Sequence, residues 1–306
     1  MAQTSDTVAL DAAEIAIYIL LFPLIIFLGI RHGSKHSLGF VYLCLFAVLR
    51  IVADGLGIAN RNLTDESAII TTQAISSAGL SPLLLILAAF AHEAHHYQVK
   101  AALPHNQAQN VLRQLRSLQG LFHVLSAGGM GLIVYGAEKS ASKDSDHDSS
   151  TWTTVRKVGC VLMLLAAIAE IIYAFYVWSS VRRTRKAVRP MHLISLAVFT
   201  FVGGLFVGAR AVYSVVYTFD TNPDISPITG TFVVKLICIV LVQLLAVACL
   251  ITGAWLSRNI RRDIEYKSIQ PAERFSGGGG GRGGDSAIPL APEEYSKTWY
   301  SPSYDA

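Results

Sequence analysis

The chain has 306 residues, 52% of them hydrophobic and 15% charged, with a mean hydropathy of +0.45. Soluble domains average ~25% charged residues, so this balance excludes a pair of soluble globular domains. The net charge of +4 does not mark a nucleic-acid binder, because the basic residues gather at the edges of apolar runs.

Those runs have cores at about 12–30, 38–59, 68–91, 118–136, 157–180, 191–217 and 231–256. A membrane-spanning helix needs ~20 mostly apolar residues, because the hydrocarbon layer is ~30 Å thick and a helix rises 1.5 Å per residue. Each run is long enough. The pattern predicts an all-α polytopic membrane protein, a seven-transmembrane-helix bundle over residues 12–257. A short extracytoplasmic segment, 1–11, precedes it, and a tail, 258–306, follows.

Residues 1–11 lack a basic n-region and the first run is too long for an h-region, which reads as an uncleaved span rather than a signal peptide. Glu14 lies at its outer edge. The second run carries Arg50 and Asp54, four apart and so one above the other on a helix face, beside a small-residue face at Ala53 and Gly57. Asn62-Leu63-Thr64 in the next gap is a glycosylation sequon, set close to the membrane. The third run opens near Gln73 and ends at His92-Glu93-Ala94-His95-His96.

That pentapeptide matches HExxH, in which two histidines one helical turn apart hold zinc and the glutamate acts as general base. His92 and His96 are the weak metal candidates. The motif needs a third ligand, and His105 and His123 sit in no recognisable downstream pattern. The gap of about 25 residues is too small for a protease domain, so zinc hydrolysis is not the favoured reading. The histidines read instead as residues of the membrane edge. No cofactor is expected.

The fifth run places Glu170 near mid-membrane, among Ala166, Ala167, Tyr173 and Ala174. With no cation near, such a carboxyl would stay neutral and could donate a proton. With Arg210 or Arg50 beside it, it would stay ionised. The sequence leaves both open. The sixth run has a small-xxx-small face at Gly204 and Gly208, and carries Arg210 on one stripe with Gly203, Tyr213, Ser214 and Tyr217. The seventh has Lys235 one turn from its start. Cys44, Cys160, Cys238 and Cys249 all lie within spans and read as free thiols, although Cys160 and Cys238 share the outer third. The tail contains SGGGGGRGG over 276–284 and is expected to be disordered.

Orientation follows from the gaps. Arg31, Lys35, Lys100, Arg113, Arg116, Arg182, Arg183, Arg185, Lys186, Arg189, Arg258, Arg261 and Arg262 fall on one side, and only Arg61, Lys139, Lys143, Arg156 and Lys157 on the other. The positive-inside rule places the N-terminus outside and the C-terminus in the cytoplasm, in the plasma membrane or the endoplasmic reticulum.

On that orientation Glu14, Arg50, Asp54, Gln73, Arg210 and Lys235 share the outer half, with Glu170 just below. A charge in the hydrocarbon costs roughly 2.5–3.5 kcal/mol, so each needs a partner or a purpose. An interhelical salt-bridge network is one explanation. Six polar groups at one depth favour the other, a polar pocket holding a small lipophilic molecule. Glu170 and Asp54 are then the candidate acids, and Arg50, Gln73, Arg210, Tyr213 and Lys235 the candidate binding residues.

Ile30-Arg31-His32-Gly33, Leu49-Arg50-Ile51, the stretch Gly79-Leu80-Ser81-Pro82-Leu83-Leu84-Leu85, and Arg210 with Tyr213 resemble a family of fungal seven-span integral membrane proteins of unknown function. The resemblance covers about residues 10–257. It implies a fungal multi-pass protein and supplies no catalytic residue. Likeness to fungal receptor-like seven-span proteins and to membrane-bound meroterpenoid cyclases is one of architecture alone.

Three functions follow as expectations. The first is a membrane-bound isomerase or cyclase of isoprenoid-type secondary metabolites, started by proton donation. The second is a receptor-like protein signalling to a cytoplasmic partner through the basic gap 182–189 and the tail. The third is a non-catalytic scaffold.

Overall fold

The computed structural model describes residues 5–32, 38–60, 72, 75–103, 105–141, 149–184, 191–220, 225 and 231–258. Gln73, Asn62, most of the basic gap 182–189 and the tail beyond Arg258 lie outside them.

Seven long helices follow one another: α1 (Ser5–His32), α2 (Leu38–Ala59), α3 (Leu80–Ala102), α4 (His105–Ala141), α5 (Ser149–Thr184), α6 (Met191–Phe219) and α7, which begins at Phe232–Lys235 and ends at Val242–Ser257. Between those two stretches of α7, Leu236–Leu241 forms wider π-helical turns. Among the described residues there is no strand. All seven helices are long and apolar enough to cross a membrane. Side chains such as Leu20, Ile30, Val124 and Ile172 are more than half exposed, as a lipid-facing surface requires.

Successive helices run up and down. The face where α1 begins is called the amino-terminal face, and the face where α7 ends the carboxy-terminal face. Helix α3 is the hub, packed against α2, α4, α5 and α6. In its apolar window 72% of residues are buried, against 22% in α1.

The third span extends past the sequence expectation. Its core is expected to end at 91, and the helix runs on to Ala102, straight through the HEAHH segment. The polar side chains there are taken up inside the bundle: Glu93 by His32, His95 by Tyr173 and Gln98 by Ser180. A helix surrounded by other helices can carry polar residues at membrane depth when each finds a partner. Glu93, His95 and Gln98 are thus buried between helices, whereas His92 and His96 are half-buried.

Glycines set the closest contacts. A Cβ on Gly159 of α5 would stand 2.7 Å from the Gly129 carbonyl oxygen of α4, so the two backbones touch with no side chain between them. On the small-residue face of α6, Gly204 receives Leu87 of α3, and a Cβ on Gly208 would meet Ile171 of α5 at 2.6 Å. Such close approach supplies the dispersion contacts that hold helices together where lipid removes the hydrophobic drive.

Candidate functional site

Asp11, Glu14 and Tyr18 lie on one stripe of α1 and are all buried. The spacing of three and four residues aims them together at α2 and α7. On α2, Phe46, Arg50 and Asp54 form the facing stripe, and the Tyr18 ring meets Phe46 edge-on, with ring centroids 5.5 Å apart.

Arg50 is the centre of this arrangement and only 1% exposed. Its Nε donates to Glu14 Oε1 at 2.9 Å, and its Nη2 lies 2.7 Å from Glu14 Oε2. The same Nη2 reaches Asp54 Oδ1 at 3.0 Å, and Nη1 makes a long contact with Ser76 Oγ at 3.5 Å. A planar guanidinium is shaped to fork onto a carboxylate in this way. Beside it, Lys235 Nζ of α7 pairs with Asp11 Oδ1 of α1 at 2.6 Å. The network clamps α1, α2 and α7 at the amino-terminal face.

Arg210 of α6 is different. It too is 1% exposed, but among the described residues no carboxylate stands within ion-pair distance. Its Nη1 donates to Ser214 Oγ at 2.7 Å, its guanidinium carbon lies 5.2 Å from the Tyr213 ring centroid, and its Nε has no hydrogen-bond partner. The groups in electrostatic range are Tyr213, Tyr217, Arg50 and Glu14.

The hydroxyls around Arg210 tie the helices together. Tyr217 Oη and Ser77 Oγ are 2.8 Å apart, joining α6 to the segment before α3. Tyr213 Oη donates to the Ile225 carbonyl oxygen at 2.7 Å. Cys160 Sγ of α5 lies 3.4 Å from Thr218 Oγ1, and all four cysteines are free thiols.

The expected residues thus divide. Arg50, Asp54, Glu14 and Lys235 come together with Asp11, which is not among the residues expected from the sequence. The signal was present as the spacing of Asp11, Glu14 and Tyr18. Glu170 stands apart, 1% exposed, with no hydrogen-bond partner on either oxygen and no charged group in range among the described residues. Its stripe mates Ala166, Ala167 and Ala174 are buried with it. Asp54 is committed to Arg50 through Oδ1 and keeps only Oδ2 unpartnered.

A cavity of about 270 Å³ lies at the other end, among the start of α2, the second half of α3 and the first third of α4. Leu38, Gly39, Ala89 and Leu112 give it apolar walls, and His92, Glu93, His96, Arg116 and Gln119 give it polar ones. His92 and His96 share a stripe with ring centroids 6.4 Å apart. Glu93, the base of an HExxH site, is held by His32 Nε2 at 2.7 Å. Among the described residues no three His, Cys, Asp or Glu side chains are grouped to hold a metal. His123, the other candidate ligand, is bound instead between Tyr42 Oη and the Gln119 carbonyl oxygen.

The family model for a domain of unknown function, DUF7702, matches residues 3–259, and the chain belongs to that family. No curated protein and no solved structure matches it.

Proposed function

We propose that this multi-pass membrane protein binds a small amphiphilic molecule near the amino-terminal face, with an acceptor or anionic group of the ligand on Arg210. The observation that carries the reading is Arg210 itself: a fully buried guanidinium with no carboxylate in contact and an unused Nε–H. A charge held at such depth is costly without a partner, and the buried Arg50 and Lys235 each have theirs. Tyr213 and Ser214 flank the place a ligand would take, and Gln73 is proposed to join them. Arg50, Asp54 and Lys235 act as the frame. The basic gaps would put this face outside the cell or in the organelle lumen.

The test is to purify the chain from its native membrane and identify co-purifying small molecules by mass spectrometry. A stoichiometric amphiphile that is lost from Arg210→Gln, while the variant keeps its yield, supports the reading. An empty wild-type protein refutes it.

Glu170 supports a second, catalytic reading. A buried carboxyl with no partner among the described residues would be better placed than Asp54, which Arg50 engages, to protonate an isoprenoid-like alkene or epoxide. Glu170→Gln would then abolish product formation and leave Arg210-dependent binding intact. If the protein is instead a receptor, truncation after residue 262 removes its output and not its ligand.

A further inference from the structure

The end of the bundle away from Arg210 holds the second arrangement. The cavity there opens among α2, α3 and α4, and its walls are of two kinds. Arg116 and Gln119 stand three residues apart on α4 and so share one face of it, opposite His92 and His96 on α3. Arg116 is exposed and both histidines are half-buried, so the polar side is open to solvent and not sealed inside the bundle. Leu38, Ala89 and Leu112 supply the apolar side.

The donor set decides the class of ligand. A cation is disfavoured, because a guanidinium lines the same space, cannot ligate a metal and repels one. Of the carboxylates, only Glu93 lines the cavity, and its Oε1 is occupied by His32 at 2.7 Å. The other polar groups lining it are of types that donate to oxygen anions: a forked guanidinium, two imidazoles and a carboxamide. Such convergence suits a phosphate, whose oxygens accept several charge-assisted hydrogen bonds at once. The volume of about 270 Å³ is below that of a pocket enclosing a whole drug-sized ligand, and it suits a headgroup with the first carbons of a chain.

We infer that this cavity binds a phosphate-bearing amphiphile, the phosphate between Arg116 and the His92–His96 pair and the chain along Leu38, Ala89 and Leu112. This explains HEAHH without zinc. The histidines face an anion, and Glu93 is turned into an interhelical tie to α1. The inference is independent of the Arg210 reading.

The test uses the full chain in a phosphate-free neutral detergent, titrated with dioctanoyl phosphatidic acid, dioctanoyl phosphatidylcholine, inorganic phosphate and zinc chloride, with binding read by calorimetry. Phosphatidic acid is expected to bind saturably, more tightly than phosphatidylcholine. Arg116→Gln is expected to weaken it about tenfold, the loss of roughly one charge-assisted hydrogen bond. Arg116→Lys should recover part of that loss. Arg116 is on the surface, so unchanged thermal unfolding of the variant separates binding from folding. Inorganic phosphate binding as tightly as phosphatidic acid would keep the phosphate site and overturn its lipid source. Equal affinity in wild type and Arg116→Gln, or no saturable binding, overturns the inference. Stoichiometric zinc lost in His92→Ala would overturn it in favour of a metal site.

Discussion

The two ends of this bundle solve the same problem in opposite ways. At the amino-terminal face Arg50 and Lys235 are buried and matched by Glu14, Asp54 and Asp11 at contact distance. At the carboxy-terminal end Arg116 and two histidines surround an open space, and the nearest carboxylate is taken by another residue. Basic groups that meet acids directly become joints between helices. Basic groups that line an open space can meet a ligand there. Arg210 belongs between these extremes: buried like Arg50, yet like Arg116 without an acid in ion-pair contact among the described residues.

Substitutions can break this comparison in order of expected effect. Arg50→Ala leaves Glu14 and Asp54 buried without their cation and should destabilise the bundle by about 3–5 kcal/mol. The readout is a large fall in thermal unfolding temperature or loss of monodisperse protein. Lys235→Met should cost less than Arg50→Ala, since one carboxylate is orphaned rather than two. Adding Asp11→Asn should restore part of the loss, and a double-mutant cycle with no coupling would show that the pair is not a joint.

Gly159→Val forces a side chain against the Gly129 carbonyl and should cost about 1–3 kcal/mol by overpacking. That value calibrates ordinary packing against the ionic joints. Arg210→Met is the sharpest comparison. Removing a cation that touches no carboxylate should destabilise far less than Arg50→Ala. An equal loss, measured in the same unfolding assay, would move Arg210 into the structural network. Arg116→Gln should change stability by no more than about 0.5 kcal/mol, as expected of a surface position.

How much of this was legible varied with the kind of interaction. Arg50 and Asp54 were readable as a pair, because both lie on one helix with a spacing of four. The pairing of Lys235 with Asp11 was not, since it joins residues from the first and last helices. Glu170 was grouped with the outer charges from depth alone. Depth places a residue along a helix and leaves its azimuth open, and Glu170 meets neither Arg50 nor Arg210 at ion-pair distance. The partners within HEAHHYQVK are illegible for a related reason: Glu93, His95 and Gln98 meet His32, Tyr173 and Ser180 on helices distant in the chain.

The sequence by itself determined that seven helices are long and apolar enough to cross a membrane, because helix length and apolar composition are local properties. Which charged groups neutralise one another, and where space is left over, only the tertiary structure decided. Both depend on the rotation of each helix about its axis, and that rotation is set jointly by close contacts such as Gly159 on Gly129 and by ion pairs between distant parts of the chain.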